Sequence, residues 1–113
     1  MITLLLVYRD CNQPMSKFVQ TLLPIIENRE DNFILLGDIN RDILDLEESA
    51  DYLNAMESSG FKSILNEPTR NLSCLDHVFC KSSRMQVTAS ILDIKITDHA
   101  IVKVEVKCRW NHK

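Results

Sequence analysis

Apolar residues along this chain fall in short runs and alternations that predict an α/β fold. Residues 2 to 8 form a nearly unbroken apolar run and predict a first strand. After a loop from Arg9 to Pro14, residues 15 to 28 place Phe18, Leu22, Ile25 and Ile26 on one side at helical spacing. Pro24 has no N–H to donate, which predicts a kink or stop near Leu23. Phe33 to Gly37 reads as a strand buried on both faces, the kind found at the centre of an α/β sheet. An acidic loop over residues 42 to 48 leads into a second helix, residues 47 to 59, with Leu53 and Met56 facing inward. Glu47 and Glu48 suit the positive end of its dipole, and Gly60 suits its C-terminal cap. Residues 61 to 65 predict a short edge strand, 66 to 73 a loop, and 75 to 80, 85 to 94 and 100 to 107 three further strands. In the last of these Val102, Val104 and Val106 alternate with Lys103, Glu105 and Lys107, the mark of a strand with one wet face. Residues 109 to 113, with Trp110 and His112, carry no pattern and are expected to fray.

The candidate chemistry sits at strand ends. Gly37 allows a sharp turn, and Asp38 and Asn40, two residues apart, are placed to point the same way where ligands of open α/β sheets collect. Asp and Asn also follow strands simply as turn residues. Two later stretches tip the balance. Leu75-Asp76-His77-Val78-Phe79 and Ile96-Thr97-Asp98-His99-Ala100 put Asp-His pairs inside or beside apolar runs, where acids and imidazoles need partners. Strands that end side by side would let these groups satisfy one another, and a divalent metal with a phosphate is the simplest use for such a cluster.

Composition narrows the classes. With 113 residues the chain is one small domain with a modest core, and 45% hydrophobic against 26% charged residues argues against disorder. A formal net charge of −3 disfavours a basic DNA-binding module, so contact with nucleic acid must use local Lys and Arg or metal-bridged phosphates. Cys11, Cys74, Cys80 and Cys108 show neither zinc spacing nor a disulfide framework, and read as reduced thiols of a nuclear or cytoplasmic protein that is not secreted. No apolar run is long enough to span a membrane.

Gly37-Asp38-Ile39-Asn40, Leu75-Asp76-His77-Val78-Phe79 and Thr97-Asp98-His99 resemble, in order and approximate spacing, the C-terminal half of the endonuclease/exonuclease/phosphatase superfamily. Within it the likeness is to the apurinic-type endonuclease domain of non-LTR (LINE-like) retrotransposons. Val7-Tyr8-Arg9, similar to a tyrosine-arginine-proline-proline segment of those domains, and Pro68-Thr69-Arg70 support it, although Asp10-Cys11 stands where the prolines are usual. The likeness runs from about Leu4 to Val104. It implies half of a four-layer α/β/β/α sandwich, residues 1 to 108, built as one mixed sheet with two helices on its outer face. The family's complete domain begins with strands carrying an asparagine and a metal-ligand glutamate, which have no counterpart in these residues.

By this resemblance the chain derives from a Mg²⁺- or Mn²⁺-dependent DNA endonuclease that contacts DNA through its phosphate backbone. Asp38 would orient and deprotonate a water, with Asn40 fixing its place and touching the phosphate. Asp76 would hold His99, whose imidazolium donates to a phosphate oxygen. Asp98 would serve the metal, and Tyr8 would either donate its hydroxyl to the phosphate or pack. His77, on the opposite face from Asp76 by alternation, reads as a satisfied core histidine. Two function classes follow: a phosphodiester hydrolase active when complete, or an inactive remnant that binds a partner or has no function. In either, an uncovered inner sheet face is expected to recruit the missing half, or a second copy as a homodimer.

Overall fold

A computed structural model describes residues 2–27, 32–92, 94 and 97–108. Its elements in chain order are β1 (Thr3–Leu6), α1 (Met15–Ile26), β2 (Phe33–Asp38), α2 (Leu46–Ser58), β3 (Lys62–Ser63), β4 (Asp76–Lys81), β5 (Met85–Leu92) and β6 (Ile101–Cys108). Four strands form a mixed sheet in the order β1-β2-β4-β3. β1 runs parallel to β2, and β4 runs antiparallel to both β2 and β3. This is an α/β fold, as the hydrophobic pattern predicts, with the mixed sheet and two helices that the resemblance implies. The five-residue tail lies outside the described residues.

The central strand is buried because it has a layer on each face. Register puts Phe33, Leu35 and Gly37 on the same face as His77 and Phe79. Tyr52 of α2 lies against both of the latter rings, so this is the helix face. Phe18, Leu22 and Ile26 of α1 and Met56 of α2 complete that side of the core. Ile34, Leu36 and Asp38 share the other face with Cys80, Val78 and Asp76. Ile34 and Val78 are buried there too.

Three departures from the sequence pattern have physical causes. α1 runs through Pro24 to Ile26, with the Glu27 N–H closing onto the Leu23 carbonyl, and does not stop near Leu23. Full burial of Ile26, with Leu22 one turn before it, offsets the hydrogen bond that Pro24 lacks. Ile25, expected inward, is exposed, since the helix face is set by 18, 22 and 26. β5 and β6, expected in the single mixed sheet, pair only with each other among the described residues. Their one apolar face is the reason: Met85, Val87, Ala89, Ile91, Val102 and Val104 pack against the core as a second layer.

That hairpin also changes the expectation of an uncovered inner face. The hairpin packs against the core, yet on β1 Leu4 and Leu6, on the face of Ile34 and Leu36, stay 64% and 76% exposed. No helix among the described residues is long and apolar enough to cross a membrane. No disulfide forms among the described cysteines, Cys11, Cys74, Cys80 and Cys108.

Candidate functional site

The site forms where β2 and β4 end together. β2 ends at Asp38, which is paired with Asp76 at the start of β4, so the antiparallel register sets two carboxylates side by side on the hairpin face. The loop into β6 brings up the third group. His99 Nδ1 lies 2.7 Å from Asp76 Oδ2 and its Nε2 lies 3.7 Å from Asp38 Oδ2. Asp38, Asp76 and His99 are all half-buried, and one ligand atom from each falls within 4.8 Å of the others.

Backbone geometry fixes the Asp38 arm. The β1–β2 pairing continues past β1 through Val7 N–H to the Leu36 carbonyl and Arg9 N–H to the Asp38 carbonyl, both 2.9 Å. Alternation stops at Asp38, because Asn40 takes a left-handed φ of 54°. The Asn40 N–H donates to Asp38 Oδ1 at 3.0 Å, and its carboxamide nitrogen donates to the Arg9 carbonyl at 2.6 Å. Asn40 therefore turns its NH₂ back onto β1 and keeps its carboxamide oxygen as the group available to a ligand. The buried Arg9 guanidinium closes the clamp, donating to the carbonyls of Gln13, Ile39 and Asn40.

The Asp76–His99 arm has its own anchor, which the sequence pattern does not reveal. Thr69 is buried, and its Oγ1 accepts the N–H groups of Leu75 and Asp76 at 3.0 and 3.1 Å. Its carbonyl accepts the Ala100 N–H, one residue past His99. One threonine thus ties both partners of the Asp76–His99 pair. Thr69→Val leaves two partly buried amides without their acceptor and is expected to cost about 1–3 kcal/mol. Chemical unfolding of the two proteins measures this, and equal stability would contradict it.

Electrostatics follow from the pairing. The hydrogen bond with Asp76 raises the His99 pKa above the ordinary 6.5; burial opposes it, and the charges of Asp76, Asp38 and Asp98 add to the rise. A folded value above the unfolded one means that this stabilisation is full below pH 6.5 and is lost as pH rises through the folded pKa. Ring-proton NMR is expected to show His99 titrating above 6.5 and dropping in Asp76→Asn; a midpoint at or below 6.5 in the unmodified protein would contradict the pairing.

The remaining predicted residues are not among the three clustered groups. Asp98 is 71% exposed at its side chain and pairs with Arg70 at 3.2 Å. Tyr8 is 69% exposed on the same open stripe as Leu4 and Leu6. His77 is fully buried and hydrogen-bonded to Tyr52, as a core histidine should be.

Two carboxylates and an imidazole suit a hard divalent cation as a partial ligand set, with water and phosphate oxygens needed to complete six-coordination. Because His99 Nδ1 is engaged by Asp76, its Nε2 is the nitrogen free to meet an anion or a metal.

No family model matches this sequence, and no curated protein matches it. Among solved structures, the chain is similar to the endonuclease domain of TRAS1, a telomere-specific non-LTR retrotransposon, with a TM-score of 0.71 and 16% identity. The match covers 92% of this chain and 55% of that one. The chain therefore carries the fold of that endonuclease domain along almost its whole length, and spans about half of it.

Proposed function

We propose that Asp38, Asn40, Asp76 and His99 form the hydrolytic part of a metal-dependent phosphodiesterase site that acts on DNA. The observation that carries this reading is the Asp76–His99–Asp38 arrangement: a carboxylate-held imidazole whose free nitrogen faces a second carboxylate across 3.7 Å. Asp38 accepts the proton of the attacking water, oriented by the Asn40 carboxamide oxygen, and His99 donates to the phosphate as its charge shifts. A Mg²⁺ or Mn²⁺ ion held by the carboxylates would supply Lewis acidity to the phosphate oxygens. Asp98 and Tyr8, at the margin, contact metal-bound water and phosphate in this reading.

The similar endonuclease domain is nearly twice as long as the matched region, so these 113 residues hold part of the ligand set. Taken alone they are expected to bind metal weakly and to cleave slowly or not at all. The exposed Leu4 and Leu6 mark where a completing half, or a second copy of the chain, would dock.

Nicking of supercoiled plasmid with Mn²⁺, beside Asp38→Ala and His99→Ala, tests the reading. Slow, chelator-sensitive nicking that exceeds both variants supports it. Brisk nicking by the isolated chain would overturn its incompleteness. Nicking equal in all three proteins would favour the second reading, an inherited site in a binding domain or inactive remnant.

A further inference from the structure

We infer that His77, which takes no part in the proposed chemistry, is a positioning residue that fixes the distance between the two arms of the site. This rests on the Asp38–Asp76–His99 reading. Its imidazole bonds three separate pieces of chain at once. Nε2 lies 2.7 Å from the Arg41 carbonyl and 3.1 Å from the Cys74 carbonyl, and Nδ1 lies 3.0 Å from the Tyr52 hydroxyl of α2. Two carbonyl oxygens accept only, so the ring proton sits on Nε2, and Nδ1 accepts from Tyr52. Every polar atom of a fully buried ring is thereby satisfied in the neutral form. Burial lowers the His77 pKa and keeps it in that form.

The connections explain why this matters to the site. Arg41 follows Asn40 and so belongs to the Asp38 arm; Cys74 leads into Asp76 and belongs to the other. Backbone bonds already stitch the flanks, from Ile39 N–H to the Leu75 carbonyl at 2.9 Å and from Ile43 N–H to the Cys74 carbonyl at 3.2 Å. Between them the chain turns through the left-handed Asn40, and Arg41 offers its carbonyl inward to His77. The Nε2–H fork therefore holds the middle of the loop against β4, while Tyr52 holds the ring. Without it the ladder at 39 and 43, the Asp42 Oδ1–Cys74 N–H bond and the Arg9 clamp survive, but the direct tie from Arg41 to the Asp76 arm is lost and the spacing between the arms relaxes.

Mn²⁺ affinity reads this directly. His77→Leu removes all three bonds, whereas His77→Gln keeps an N–H donor and a carbonyl acceptor on a side chain of similar reach. With folding confirmed by thermal unfolding, His77→Leu is expected to weaken Mn²⁺ binding by about tenfold, and His77→Gln to restore most of it. Metal-free proteins give a second readout: the NOE between the His99 ring protons and the Asp38 β-protons is expected to fade in the leucine variant and persist in the glutamine variant. Folded His77→Leu with unchanged affinity and an unchanged NOE overturns the inference. If the unmodified protein itself binds no Mn²⁺, the metal reading has failed on its own, and the NOE alone decides the role of His77. Should His77→Leu not fold, Tyr52→Phe keeps both rings and removes only the hydroxyl on Nδ1, with about threefold weaker binding expected and no change overturning the inference.

Discussion

Gly37→Ala is expected to remove about 3 kcal/mol of stability or more, placing the domain at the edge of unfolding. A Cβ at this position would lie 1.7 Å from the Val7 carbonyl oxygen and 2.7 Å from its carbon, both rigid backbone atoms of the segment paired beside β2. No rotamer relieves that contact. The φ of +153° adds strain for any residue with a side chain. Relief requires β1 to move off β2 where Arg9 N–H meets the Asp38 carbonyl and Asn40 meets the Arg9 carbonyl. The Asp38 arm should therefore loosen together with the fold. Thermal unfolding measures the effect, and a midpoint equal to that of the unmodified protein would contradict the close approach.

Asp38→Asn carries the largest expected effect on chemistry. The carboxamide oxygen still accepts the Asn40 N–H, so the turn and the fold should survive. What is lost is a negative charge 3.7 Å from His99 Nε2 and the group proposed to take the water's proton. Any metal-dependent cleavage is expected to fall roughly 100-fold or more, and Mn²⁺ binding to weaken with it. The His99 titration midpoint should move down, because Asp38 is one of the charges that raise it. Cleavage and Mn²⁺ affinity measured on the same preparation check this. A folded variant that retains both would remove Asp38 from the mechanism.

Much of the architecture is legible because the hydrophobic period is unambiguous where burial is two-sided or strictly alternating. Phe33 to Leu35, the Phe18-Leu22-Ile26 stripe and the valines of β6 each encode one element and its facing. The helix through Pro24 is not, since a proline reads as a stop until the burial of Ile26 is known. Nor is the assignment of β5 and β6 to a second layer: alternation tells which face is apolar, not whether a strand joins a sheet by its edge or lies on it.

The site divides the same way. Asp38, Asp76 and His99 stand out because ionisable residues beside apolar runs need partners, and register then brings all three together. Thr69 and Arg9 give no such signal. A threonine in a loop is ordinary, and its value lies in two amides and a carbonyl contact that only the folded chain assembles. Arg9 resembles a surface charge at a strand end, yet it is buried and bonds three carbonyls. Asp98, equal to Asp38 in the sequence pattern, faces solvent and Arg70, because the loop before β6 turns its neighbour His99 inward.

The central claim is that Asp38 and Asp76, with His99 beside them, hold a divalent cation, and Mn²⁺ titration of ¹⁵N-labelled protein tests it most directly. Paramagnetic broadening is expected first at the amides of residues 38–40 and 76–77 and at the His99 ring, with a weaker effect at Asp98. Loss of signal first along the acidic loop at Asp42, Asp45, Glu47 and Glu48, or evenly over the surface, would contradict it.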